Sequence, residues 1–438
     1  PDSLSGEAAL LTDGRYFLQA EKEMDSRYWK LLKQGVAGYP SWKEFAMEKA
    51  ISSKFSNVIS VDPKLISLND GDYFNRMKYL KYQSKFEFKP LLEPNLVDEV
   101  WGPEKPKRPL QKVYHLSPEF SGETTNAKLK RVREYMGLNS FYIISALEDI
   151  AWLFNLRADE EIPFNPFFFA YSVITNESVT LYIDKRKIEN LTFEIDDLVI
   201  KDYSEFYSDL RTIRCDTLGT SVNQVIFPNK SSTSYAIFNE IPQSAAKSNA
   251  RYESIVSEIK KIKNKKELFN AKVTQYKDSL AFIKYLAWLE FELLEKKRTD
   301  LTEYEAACKI YAIRKSFPNF KGLSYATILS TGPNAAIIHY SPTKEENAII
   351  DPKTPYLVDS GAHYLEGTTD ITRTYMFGHY AYLNQNYRKW YTLVLKGHMA
   401  VATCKFPPKL ASTGAALDAF ARQPMWNEGL DFAHGTGH

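Results

Sequence analysis

Cysteine is almost missing from this chain of 438 residues, and the three that occur, Cys215, Cys308 and Cys404, are scattered. An odd, dispersed set supports neither a disulfide framework nor a thiolate metal cluster. That usage fits a reducing compartment, so the expected location is cytoplasmic. Net charge is lacking too, because 56 basic and 54 acidic residues leave a formal +2. No nucleic acid and no membrane surface is therefore expected as a partner. No apolar run approaches the roughly 18 residues of a bilayer-spanning helix, and the longest, PFFFAYSVI from Pro166, is strand-sized. Internal repeats, low-complexity tracts and a secretory signal are absent from the sequence, and the chain opens at Pro1 without a methionine.

What is present is a globular composition, 44% hydrophobic and 25% charged, with length for about two to three domains. The opening LLTDGRYFLQAEKEM reads as a hairpin turn at Asp13 and Gly14 followed by a short strand. Prolines 94, 103, 106, 109 and 118 then mark a connector over residues 93–122. NAKLKRVREYMGL predicts a helix capped at Gly137. SFYIISALEDIAWLFNL predicts a buried strand running into a helix, with Ser145 and Glu148 at capping-box spacing. Two strands around NES extend a second α/β domain to residue 265. The Lys-rich IKKIKNKKELF reads as a solvated helix face. From Asp278, the residues Leu280, Ile283, Ala287, Leu289, Leu293 and Leu294 recur at helical spacing. Thr302 and Glu305 form another capping-box pattern, and further helices are expected over residues 384–404 and in AALDAFAR.

Histidine and aspartate gather beyond the second of these helices. YLVDSG leads an apolar strand into Asp359, and GTTDITRTYMF alternates Asp370, Thr372 and Thr374 on one face. With LEG as a turn, Asp359 and Asp370 can approach each other in an antiparallel pair. Taken singly, Asp359 reads as a turn cap, Asp370 as a partner of Arg373, and His339 in AIIHYSP as a hydrogen-bonded histidine at a strand end. Taken together, two buried carboxylates repel unless they are protonated, paired or share a divalent cation. The closing HGTGH places His434 and His438 four apart, yet each glycine disfavours a helix by about 1 kcal/mol relative to alanine. The motif also lacks the central glutamate of a helical zinc site. An extended or looped backbone passing close to a ligand is the expectation.

In order and spacing, STGPNAAIIHYSP, YLVDSGAHYLEGTTDITRT, YTLVLKGHMAV and GLDFAHGTGH resemble aminopeptidase P, the Xaa-Pro aminopeptidases of the prolidase and methionine aminopeptidase superfamily. Weaker likeness extends through TDGRYFLQAEKEMDS, NLVDEVW and ALEDIAWLFNLR. The resemblance, to the three-domain eukaryotic type, implies an α/β fold, α+β in its catalytic part. Two creatinase/prolidase N-terminal-like domains, residues 1–122 and 123–265, would precede a pita-bread metallopeptidase domain over residues 266–438. It further implies that Asp359 binds one metal, Asp370 bridges two, and His438 binds the other while also facing substrate. His339 and His434 would contact the substrate and stabilise the tetrahedral intermediate. The implied cofactors are two divalent ions, manganese before others, holding a bridging hydroxide. The implied substrate is a peptide with proline second, and the implied assembly a homodimer. Two further glutamate ligands are expected beyond residue 438, so the chain is expected to be cut at both ends and inactive as it stands. The alternatives are a catalytically silent member acting as an interaction or regulatory protein, and a prolidase proper, which the extra α/β domain disfavours.

Overall fold

The computed structural model describes residues 6–213, 224–242, 246–249, 254–378, 384–405 and 413–437. They pack as two compact units, one formed by Pro1–Trp42, Thr274–Tyr364 and Thr368–His438, the other by Lys43–Val273 and Leu365–Gly367. This grouping differs from a division at residues 122 and 265, because residues 1–42 pack with the C-terminal part of the chain. Local contacts explain it: the Tyr16 hydroxyl lies 2.7 Å from His339 Nδ1, and a Cβ added at Gly14 would fall 2.0 Å from the Ala433 carbonyl oxygen.

The second unit is built on a six-stranded sheet in the order Leu198–Lys201, Val179–Ile183, Ala170–Ile174, Ser140–Ile144, Gln224–Phe227, Ala246–Asn249. Its centre is antiparallel and both flanks are parallel. After Ser140 the strand reads FYII, without polar alternation, because the sheet is covered on both faces. Tyr142 and Ile144 join Leu129, Val132, Ile150 and Leu153 in one core, whereas Ile143 joins Phe206, Leu210 and Tyr235 in the other. The helix Thr125–Met136 ends at Gly137 with φ 77°, as its sequence predicts. The expected Ser145–Glu148 capping box does not form. The helix Leu147–Leu153 starts after Ala146, which makes Asp149 the third residue, and its buried carboxylate is taken by Ser254, Ser257 and Lys260 at the cap and in the body of the helix Ile255–Lys260. The proline-rich connector carries a helix, Leu96–Trp101, and a strand, Val113–His115, paired with Leu156–Ala158.

In the first unit, the opening segment forms no hairpin. Strand Ala8–Thr12 pairs in parallel with Trp29–Lys33 across the helix Phe17–Glu23. Asp13 sets the direction: its carboxylate accepts the Arg15 backbone N–H at 3.1 Å and its carbonyl accepts the Tyr16 N–H at 3.0 Å. The turn therefore feeds a helix, and a parallel return needs such a crossover.

The helix Lys265–Glu290 buries Ala281, Phe282, Tyr285 and Leu289, while Leu280 and Ile283 are 46% and 62% exposed. Leu289, Leu293 and Leu294 of the expected stripe do lie in or against the core, but before them the buried face is rotated to Phe282 and Tyr285, since helical spacing alone fits both and packing against Leu329, Tyr356 and Val358 of a sheet selects between them. That sheet is antiparallel, in the order Ile328–Thr331, Tyr356–Ser360, Ile371–Tyr375. The Thr302–Glu305 capping box is present with both bonds and starts the helix Glu303–Lys315.

Glu303, fully buried, is the first residue of that helix. Its carboxylate accepts the Thr331 N–H (2.7 Å), the Ala348 N–H (2.9 Å), the Tyr340 hydroxyl (2.6 Å) and the Asn334 amide (3.1 Å). It thereby ties down both ends of the segment that carries His339. Truncation to alanine strands these donors, each costing about 1 to 3 kcal/mol when left unpaired. Glu303→Ala is expected to cost at least about 3 kcal/mol in urea unfolding. Glu303→Gln, which retains acceptor capacity, should cost less.

Candidate metal centre

Asp359 lies in Tyr356–Ser360 and faces Thr372 across the antiparallel pair. Asp370 stands two residues before Thr372, so the period-two alternation puts both carboxylates on one face. The link between the strands is longer than a simple LEG turn. After Gly361 the chain leaves the pair as Ala362–Tyr364, which runs against Phe320–Leu323. It returns at Thr369, whose N–H donates to the Ala362 carbonyl at 2.9 Å and whose hydroxyl accepts the Ala362 N–H at 3.0 Å. A Cβ at Gly361 would fall 2.0 Å from the Thr369 carbonyl oxygen, which is why the strand must end in DSG.

The two carboxylates converge on a residue that sequence reasoning missed. The Tyr325 hydroxyl lies 2.6 Å from Asp359 Oδ1 and 2.7 Å from Asp370 Oδ1. Burial first, and then the two carboxylates, push this phenol far above its ordinary range, so it keeps its proton as a donor. It holds one hydrogen between two acceptors and so fixes the carboxylates side by side. Carboxylate oxygens are the donors that hard divalent ions select, so this pair fits one. Among the described residues no group of three or more His, Cys, Asp and Glu side chains is arranged to hold a metal ion. His438, the third expected ligand, lies outside the described residues.

The histidines make their contacts elsewhere. His339 is not at a strand end. Gly332, at φ 54°, and Pro333 start a 3-10 turn, Gly332–Ala336, and His339 follows it, exposed. His339 also meets the Tyr16 ring edge to face at 4.9 Å. His434 lies in irregular backbone, as its glycines predict, stacked on Phe432 at 4.7 Å. Its Nδ1 is 2.7 Å from the Gly435 carbonyl oxygen. A carbonyl only accepts, so Nδ1 carries a hydrogen, and in an uncharged imidazole Nε2 is then the acceptor. Arg422 fastens this loop, donating to the Phe432 and His434 carbonyls at 2.6 and 2.5 Å while paired with Asp418 and Asp431.

Residues 276–438 match Metallopeptidase family M24, and residues 104–267 match the Creatinase/Prolidase N-terminal domain. A protein of Colletotrichum graminicola named "Probable Xaa-Pro aminopeptidase P" is 40% identical over 98% of this chain and 69% of its own length. This chain belongs to the aminopeptidase P family. The protein of that name from Aspergillus fumigatus is 42% identical over 98% of the chain, which spans 64% of that relative's length. The crystal structure of X-prolyl aminopeptidase from Caenorhabditis elegans, described as a cytosolic enzyme with a di-nuclear active site, matches with a TM-score of 0.86 at 32% identity. The match covers 99% of this chain and 68% of that one. The α/β fold of this aminopeptidase P homologue is thus a creatinase-type N-terminal part joined to a pita-bread M24 domain.

Proposed function

We propose that the protein is a metal-dependent aminopeptidase that removes the N-terminal residue from peptides with proline in second place. The observation that carries this reading is the convergence of Asp359 and Asp370, from adjacent antiparallel strands of an M24 domain, on one hydroxyl. Asp359, Asp370 and His438 hold two divalent ions in this reading, and His339 and His434 face the substrate. Such a pair of ions, when bound, lowers the pKa of a shared water to give a hydroxide and neutralises developing negative charge. The chain's own residues do the rest. An Xaa-Pro amide has no N–H to offer, so recognition falls on the shape of the pyrrolidine ring and on its carbonyl. Imidazoles at His339 and His434 meet that carbonyl and the peptide's amine. Manganese is the first candidate by family resemblance, and mixed carboxylate and imidazole ligation suits it while leaving zinc, cobalt and iron open. A cytoplasmic location is supported by similarity to the cytosolic worm enzyme, and a homodimer by family resemblance alone.

The test, made on the full-length protein, is release of the first residue from an Xaa-Pro peptide and from its Xaa-Ala counterpart, after metal stripping and after addition of Mn2+, Zn2+ or Co2+. Metal-dependent cleavage of the proline peptide alone is expected. No cleavage with any metal would favour the silent family member.

Tyr325 offers a second check, because partners behind the ligands typically tune metal affinity by about 10- to 100-fold. Tyr325→Phe is expected to weaken Mn2+ binding by about tenfold or more in a calorimetric titration. Tighter binding would mean that the hydroxyl competes with the metal rather than aligning its ligands.

A further inference from the structure

The turn Asp13–Tyr16 is 323 residues from His339 in sequence, yet it touches both segments that carry the substrate-facing histidines. Tyr16 meets His339 through its hydroxyl and its ring. Gly14 presses on Ala433, the residue before His434, closely enough to leave no room for a Cβ. The turn is itself fixed: Arg15 grips the Asp13 carboxylate with Nε at 2.9 Å and Nη2 at 2.8 Å, and its guanidinium lies over the Tyr16 ring at 5.4 Å.

We infer that Tyr16 is a positioning residue that locks His339 in the tautomer with the hydrogen on Nε2, making it a hydrogen-bond donor toward the substrate carbonyl. The direction of the 2.7 Å bond decides this. A phenol is the better donor of the two groups, and an unprotonated imidazole nitrogen is a far better acceptor than a phenol oxygen. The Tyr16 O–H therefore donates to Nδ1, and the ring's own hydrogen must sit on Nε2. His434 has the opposite arrangement, with its hydrogen spent on the Gly435 carbonyl. The two histidines are thus unlike tools: His339 donates to the oxygen that gains negative charge, and His434 presents a lone pair. This division rests on the reading of both as substrate-facing.

The experiment is two-bond 1H–15N correlation of the imidazoles in 15N-histidine-labelled protein, with His339→Gln and His434→Gln to assign the signals, on wild type and Tyr16→Phe. Wild type should show His339 with the hydrogen on Nε2 and His434 with it on Nδ1, the latter an internal reference. In Tyr16→Phe, His339 should become a mixture while His434 is unchanged. Turnover on an Xaa-Pro peptide should then fall by about tenfold, one lost hydrogen bond, with KM little changed. A wild-type His339 with its hydrogen on Nδ1, or a tautomer unaffected by Tyr16→Phe, overturns the inference. If the wild type cleaves nothing, the functional reading fails, but the spectra still decide the tautomer.

Discussion

Arg314→Met will lower the stability of the chain by about 3 to 5 kcal/mol, the usual cost of breaking a buried ion pair by removing one member. Arg314 is fully buried, and its Nε and Nη2 donate to Asp278 Oδ1 and Oδ2 at 2.8 and 3.0 Å. The Tyr364 hydroxyl adds a third bond to Asp278 Oδ1 at 3.3 Å. Methionine fills much of the arginine stem's volume, so the loss measures the stranded carboxylate rather than a cavity. Replacing both partners removes the stranded charge as well, and Asp278→Leu combined with Arg314→Met should recover most of the loss in urea denaturation. If the double variant is as unstable as the two single ones summed, the pair is not coupled and its geometry is mistaken. The same guanidinium reaches the Gly361 carbonyl with Nη1 at 3.4 Å, two residues from Asp359. Two helices thus hold the turn that follows Asp359, and on the proposed metal site the single variant should also weaken metal binding.

Most of what depended on local pattern could be read from the sequence, the turn at Asp13 and Gly14 excepted. The strands YLVDS and ITRTY, the Gly137 stop, the Thr302 capping box and the non-helical HGTG all arise from residues within a few positions of one another. Asp359 and Asp370 share this property, because the period of two places both on one face whatever the connection between the strands. Failures came where a distant contact chose between local options of similar energy. Leu280 and Ile283 fit a helical stripe as well as Phe282 and Tyr285 do, and only the sheet decides. Ser145 does not cap its helix, which starts after Ala146 with no side-chain cap, and the first-turn carboxylate of Asp149 is held by Ser254 and Lys260 from more than a hundred residues away. Tyr325 and Tyr16 were invisible for the same reason: a tyrosine before a strand or at a helix start carries no pattern. Their partners lie 34, 45 and 323 residues distant.

Asp370→Ala will abolish metal-dependent peptide cleavage, by about a thousandfold or more. That figure comes from the several kcal/mol of charge stabilisation that a metal supplies and tenfold in rate per roughly 1.36 kcal/mol. Activity alone would not distinguish a lost ligand from a damaged fold, so stability has to be read in parallel. Without metal, Asp359 and Asp370 are like charges gathered on one hydroxyl, and removing one of them relieves repulsion. The metal-free variant should therefore unfold at the wild-type temperature or slightly above it. With Mn2+ at about a hundred times its dissociation constant, wild type should gain about 2.7 kcal/mol from linkage, and the variant should gain none. A variant that melts early without metal would instead mark Asp370 as a structural residue, whereas one still stabilised by Mn2+ would place the metal elsewhere. Tyr325→Phe should fall between the two proteins, with both carboxylates kept and a reduced but measurable gain. That order, wild type above Tyr325→Phe above Asp370→Ala, holds only if the hydroxyl aligns the carboxylates and the carboxylates hold the metal.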